Sequence, residues 1–190
     1  MEEKRLDRRT KYTHMVLKDS LIELLKVKPI SKITVKEICQ KADINRSTFY
    51  SHFNDPYHLL NSIEQEILQD VEKTLANYNF KQDVSQALQM MEKIFEYIGQ
   101  NDEICQVLLD EKGDIAFQKQ IMMLAQRQQV ITQAVNRQID QQTAEYICLF
   151  AVNGSLGIVQ HWLKNGMKKT PKEMAEMVIN LTNKGLAAFW

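Results

Sequence analysis

The sequence predicts an all-α chain: a three-helix N-terminal unit containing a helix-turn-helix, followed by a helical-bundle domain, about nine helices in total. Three observations carry this expectation. Only three prolines and six glycines interrupt 190 residues, and apolar residues recur at helical rather than alternating spacing. Residues 34–53 read as two short helices joined by a tight turn. Finally, the chain is far longer than a bare three-helix unit of about 50–60 residues and can bury a second core.

The first helix is expected over about residues 7–27, with Tyr12, Met15, Val16, Leu21, Ile22, Leu24 and Leu25 as its apolar set. Ahead of it Lys4, Arg5, Arg8, Arg9 and Lys11 form a basic arm. Such an arm fits a backbone or minor-groove contact, and equally a solvated, frayed end.

Thr34 and Glu37 have the spacing of a capping box, and Ile33 and Ile38 that of a hydrophobic staple. Val35, Ile38, Cys39 and Ala42 then make one apolar stripe, with Lys36, Gln40 and Lys41 off it. Past Ala42 the helix stops. Asp43 tolerates a left-handed backbone, Ile44 plugs the turn, and Asn45 is a favoured N-cap for the next helix. That helix starts at Arg46 with Phe49, Tyr50 and Phe53 on or near its inner side. Arg46, Ser47, Thr48, Ser51 and His52 are left outside. Short polar side chains at a helix start can reach base edges in a major groove. A solvated helical hairpin is the plainer alternative.

Asp55 as N-cap and Pro56 as first helical residue open a helix running through Leu59, Leu60, Ile63, Ile67, Leu68, Val71 and Leu75. It is long enough to leave a first domain (1–60), enter a second (61–190) and couple them mechanically, ending near residues 77–79. Further helices are expected over about 83–100, 102–110, 114–138, 141–165 and 171–189. The last start is firm, because Thr170-Pro171-Lys172-Glu173 repeats the capping box with Pro at the first position. The helix over 141–165 is apolar on more than one face and interrupted by Asn153, Gly154, Ser155 and Gly157. Small residues let helices approach closely, and surplus apolar surface must be covered. The last helix offers Met174, Met177, Val178, Leu181, Leu186, Phe189 and Trp190.

Residues 34–60, with Ile33-Thr34-Val35-Lys36-Glu37-Ile38, Ala42, Arg46-Ser47-Thr48-Phe49-Tyr50 and His52-Phe53, resemble the DNA-binding module of TetR/AcrR-family transcriptional regulators. The resemblance is dense over about residues 8–62 and architectural beyond. It implies a homodimer on a palindromic operator in double-stranded DNA, most often a repressor, released by a small-molecule effector. It also implies phosphate contacts at Thr34 and Tyr57, base and phosphate contacts at Arg46, Ser47 and Thr48, and backbone proximity for Tyr50 and His52. With Lys36 and Asn45 these make the DNA-facing set. Asp43 stands where the family often has Gly, and Ser47 where it has Gly or another small residue. Pro56 occupies a position that is often a phosphate-binding Lys.

By the same resemblance the last two helices pair with their copies in a second chain, giving Leu156, Val159, Trp162, Met174, Met177, Val178 and Leu181 as the dimer interface; a purely intramolecular core is the alternative. For an effector, Met91, Phe95, Leu108, Phe117, Met122, Tyr146 and Phe150, with Met90, Tyr97 and Met123 nearby, suit an adaptable apolar cavity. At helical spacing the same residues read equally well as core.

The net charge is zero, from 24 Lys+Arg against 24 Asp+Glu. It is unevenly spread: residues 1–60 hold 12 and 8, net +4, and the remainder 12 and 16, net −4. Attraction to phosphate is local, so the basic N-terminal part is the relevant one. No apolar run approaches the roughly 18 residues of a membrane span, and no signal peptide opens the chain. Three widely spaced cysteines, Cys39, Cys105 and Cys148, fit a reducing cytoplasm. Four histidines without metal-ligand spacing, and no Gly-rich phosphate loop, argue against an enzyme and against a metal or other cofactor. The competing function is a co-activator, or a regulator working through a protein partner without a small ligand.

Overall fold

The computed structural model describes residues 2–76, 84–110, 113–127 and 140–186, and among them it is all-α with no strand. The helices are α1 (Glu2–Leu25), α2 (Val35–Ala42), α3 (Arg46–Tyr50), α4 (Pro56–Ala76), α5 (Val84–Gln100), α6 (Asp102–Leu109), α7 (Ile115–Arg127), α8 (Gln141–Lys164) and α9 (Pro171–Leu186). A short 3-10 turn (Ile30–Lys32) precedes α2. The expected helix end at 77–79, the start at 83, the stretch of the 114–138 helix beyond Arg127, and Phe189 and Trp190 lie outside the described residues. So do the side chains of Lys4, Arg5 and Leu186. The chain divides into two compact units, Met1–Ile67 and Leu68–Trp190, and the division falls inside α4.

The first unit is built on Leu17 and Leu21 of α1, Ile38 of α2, Phe49 of α3, and Leu59 and Ile63 of α4, all fully buried. On α1 the buried stripe is Thr13, Leu17, Ser20, Leu21 and Ile22. Tyr12 and Met15, expected inside, are 60% and 50% exposed. With about 100° between successive residues, a stripe through 13, 17, 20 and 21 leaves 12 well off to one side and 15 on the opposite face. Tyr50, read as near the inner side of α3, is likewise exposed, while Phe49 and Phe53 carry the packing.

The local start and stop signals act as their chemistry requires. Thr34 and Glu37 form a complete capping box, and Asp43 ends α2 in the left-handed region at φ 53°. Its backbone N–H donates to the Cys39 carbonyl. Asn45 caps α3, its Oδ1 accepting from the Ser47 N–H at 3.1 Å. Asn45→Ala is expected to cost about 0.5–2 kcal/mol, read as a lower denaturation midpoint with unchanged slope.

In the second unit α9 packs along α5, and α6 and α7 pack on α8. Phe95 of α5 meets Trp162 of α8 edge to face at 5.4 Å, and the Trp162 Nε1–H donates to the Lys169 carbonyl at 2.9 Å. Leu75, Met90 and Leu124 form a further buried cluster flanked by Leu68, Val71, Met91 and Ile94. Gly113 is required by space: a Cβ there would lie 2.4 Å from the Leu108 carbonyl oxygen. Thr170 and Glu173 repeat the reciprocal cap at the start of α9.

One helix departs from the sequence expectation on membrane spans. By length and composition α8 is long and apolar enough to cross a bilayer. Its Ala144, Ile147, Ala151, Val152, Trp162 and Leu163 are buried within the unit, a third of its apolar stretch being buried in all.

Candidate nucleic-acid interface

The geometry of the α2–turn–α3 region begins with its caps. Glu37 Oε2 accepts from the Thr34 backbone N–H at 3.0 Å and from the Thr34 hydroxyl at 2.8 Å. Its Oε1 accepts from Lys28 Nζ at 2.5 Å. The Lys28 ammonium, then Thr34, hold the Glu37 carboxyl down at about 2, so it is ionised at any pH near neutrality and anchors the start of α2. Thr34 is exposed, but its hydroxyl is already engaged in the cap.

Lys36, Asn45 and Arg46 are brought together around a shallow hollow of about 390 Å³, lined also by Cys39, Gln40, Asp43 and Ile44. Cys39 is buried and its thiol is pushed up by that burial, with Arg46 opposing. It acts as packing. Arg46 and Ser47 are exposed and Thr48 half-buried. The Ser47 hydroxyl donates to Asn45 Oδ1 at 3.2 Å, and the Ser51 hydroxyl to the Thr48 carbonyl at 2.7 Å.

Tyr50 and Tyr57 are 57% and 54% exposed, and His52 is half-buried. At the start of α4, Asp55 Oδ1 accepts from the His58 N–H at 2.8 Å, and Pro56 is buried. The nine side chains that the sequence reading assigns to DNA thus belong to one compact unit.

The sequence reading gave no role to His14, whose Nε2 lies 3.3 Å from His52 Nδ1. Thirty-eight positions separate the two, and no local pattern signals such a pair. Burial first, then His52, holds the His14 imidazole below the ordinary histidine value, with Glu66 pulling the other way.

The residues read as effector-lining do not converge on one described cavity. Phe95, Leu108 and Phe117 are 1–2% exposed, Met91 flanks the Leu75–Met90–Leu124 cluster, and Met122 is half-buried. Tyr146 and Phe150 are 65% and 79% exposed on α8. Two described hollows of about 310 and 440 Å³ are lined by other residues, around His161 and Lys164 in one and Trp162 and Lys169 in the other.

Of the dimer set, Trp162, Met174 and Val178 are buried in their own chain. Leu156, Val159 and Met177 are half-buried, and Leu181 is exposed. A side chain already in its own core has little area to give a partner. Among the described residues, Tyr146, Leu149, Phe150 and Leu181 are the larger apolar groups that α8 and α9 leave to solvent. Among the described residues, no group of three or more His, Cys, Asp or Glu is placed to hold a metal.

The second unit matches a TetR-type family model, described as a transcriptional regulator C-terminal region, over residues 85–184. The uncharacterized HTH-type transcriptional regulator YxbF of Bacillus subtilis (strain 168) is 30% identical over 59 residues. That match covers 31% of this chain and spans only 16% of the relative's length.

Among solved structures, a TetR-like transcriptional regulator from Rhodococcus sp. RHA1 superposes with a TM-score of 0.72 at 15% identity, covering 92% of this chain and 96% of that one. The regulator FadR from Bacillus subtilis, in complex with stearoyl-CoA, superposes at 0.66 and 16% identity over 90% and 98%. At such identities the superpositions establish the fold. With 100 of its 190 residues matched by the regulator C-terminal region, this chain belongs to the TetR family of transcriptional regulators.

Proposed function

We propose that the chain is a sequence-specific DNA-binding regulator, acting in the cytoplasm as a homodimeric repressor on a palindromic operator and released by a small-molecule effector. Residues 1–60 would read DNA, and residues 61–190 would dimerise and bind the effector. The observation that carries this reading is the convergence of Lys36, Asn45 and Arg46 at the turn between two properly capped helices. Two copies related by a twofold axis would present their α3 helices to successive major grooves about 34 Å apart. Phosphate contacts from Thr34, Lys36, Tyr50, His52 and Tyr57 would set register, and Arg46, Ser47 and Thr48 would supply base readout. The stearoyl-CoA complex of the FadR neighbour makes acyl-CoA the first effector class to test.

One observation favours a second reading, a co-activator or regulator working through a protein partner. Phe95, Leu108 and Phe117 are packed into core, and Tyr146 and Phe150 stand exposed, which suits an interaction surface better than a cavity.

The test is selection of duplexes from a randomised library by the purified protein, followed by affinity measurements across a salt series. Log affinity is expected to fall linearly with log salt, with a slope of about −0.9 for each phosphate neutralised. Selection of no duplex, or an affinity indifferent to salt, would favour the partner-protein reading.

A further inference from the structure

We infer that His14 is a positioning residue for the DNA-contacting face: its Nε2–H donates to His52 Nδ1 and holds His52 as the tautomer protonated on Nε2. The inference rests on the DNA-binding reading proposed above and assigns a role to a residue of α1, outside the helix-turn-helix.

The pair is defined by geometry. His14 Nε2 and His52 Nδ1 are 3.3 Å apart, and the rings meet edge to face with centroids 4.9 Å apart. Phe53, 4% exposed, supports both rings, its centroid 4.9 Å from that of His14 and 6.3 Å from that of His52. On its other side Phe53 meets His58 of α4 at 5.7 Å. His14 is exposed, with the His52 and Phe53 rings against its own.

The two imidazoles can share this contact in only two neutral arrangements. Either His14 donates from Nε2, or His52 donates from Nδ1. In the first, each ring carries its proton on Nε2, the tautomer that free imidazole side chains prefer in water. In the second, the remaining nitrogen of His52 is a bare lone pair, which repels a phosphate oxygen. Only the first leaves His52 a donor for the duplex. His52 Nε2 has no hydrogen-bond partner among the described residues, so that donor is available. Glu66 of α4 acts on His14 and is itself paired with Lys18 of α1 at 3.1 Å. A hydrogen bond that fixes which ring nitrogen carries the proton is the usual way a neighbour sets histidine chemistry.

The test has two arms. In the free full-length protein at pH 7.5, ¹⁵N imidazole shifts are expected to show His52 unprotonated at Nδ1 and protonated at Nε2. His14→Phe, which keeps a ring against Phe53, should leave His52 a mixture of tautomers. A wild-type His52 protonated at Nδ1, or shifts unmoved by the substitution, would overturn the inference.

In the second arm, affinity is measured for a duplex selected by the wild-type protein. His14→Phe should weaken it about two- to ten-fold, and His14→Gln, whose amide also donates, should recover most of the loss. In a His52→Ala background His14→Phe should change nothing further. An equal loss in that background would mark His14 as merely structural and overturn the inference. If Arg46→Ala weakens binding while His52→Ala does not, the DNA reading stands and the inference falls. If no duplex is selected, both fall.

Discussion

Replacing Arg46 with alanine is expected to weaken binding to a selected duplex by about 1–3 kcal/mol, a loss of roughly five- to 150-fold. The magnitude follows from position and chemistry together. Arg46 is the first residue of α3, directly after the Asn45 cap, and its side chain is exposed. A guanidinium there can bind guanine through two parallel hydrogen bonds, or clamp a phosphate with the same fork. The two are separable in one experiment. If Arg46 reads a base, the loss is largest on the selected sequence and the preference at one base pair relaxes. If it holds a phosphate, affinity drops evenly across sequences and the salt slope becomes shallower by about one unit. Affinity unchanged in a folded variant would remove Arg46 from the interface. Fluorescence anisotropy on selected and scrambled duplexes, at two salt concentrations, reads all three outcomes.

The second large effect is on stability. Phe49→Ala is expected to cost about 3–5 kcal/mol, a large part of the total stability of a small unit, which is on the order of 5–15 kcal/mol. Phe49 is 0% exposed, and its ring meets Tyr50 edge to face at 5.7 Å and Phe53 at 5.9 Å. Truncation leaves a cavity beneath α3, a helix of five residues. So short a helix has little stability of its own and depends on packing. Denaturant unfolding followed by circular dichroism, with amide spectra to report each unit, measures the effect. The N-terminal unit should lose its dispersed signals first. A change below about 1 kcal/mol would mean that the caps, rather than the aromatic cluster, hold α3 in place.

Much of this was legible in the sequence because its signals are local. The capping boxes at Thr34 and Thr170, the left-handed stop at Asp43 and the starts at Asn45 and Asp55 each depend on residues within three or four positions. A reading of residue types therefore recovers them. The orientation of long amphipathic helices was less legible. On α1 apolar residues occur on several faces, so only the tertiary core decides that Leu17 and Leu21 go in while Tyr12 and Met15 stay out.

The proposed interface can be read from sequence where it lies on consecutive residues of α3, and a contact that reaches back to α1 cannot. His14 carries no local mark that it will meet His52. The second unit was hardest, because its apolar residues are divided between core, solvent and any partner by contacts that sequence does not order. Trp162, Met174 and Val178 read as interface yet sit in their own core.

The start of α4 bears on the thermodynamics of binding. A helix N-terminus is ordinarily a seat for an anion, because its first N–H groups lack partners. Here the seat is reduced: Asp55 Oδ1 accepts from the His58 N–H, and Pro56 contributes no N–H at all. On the DNA-binding reading proposed above, anchoring a duplex at this helix start would rest more on flexible side chains than on amides fixed in the backbone. Each such side chain loses rotamer freedom when it engages, about 0.5–1.5 kcal/mol apiece. Complex formation would thus carry an entropic penalty that a backbone cradle avoids.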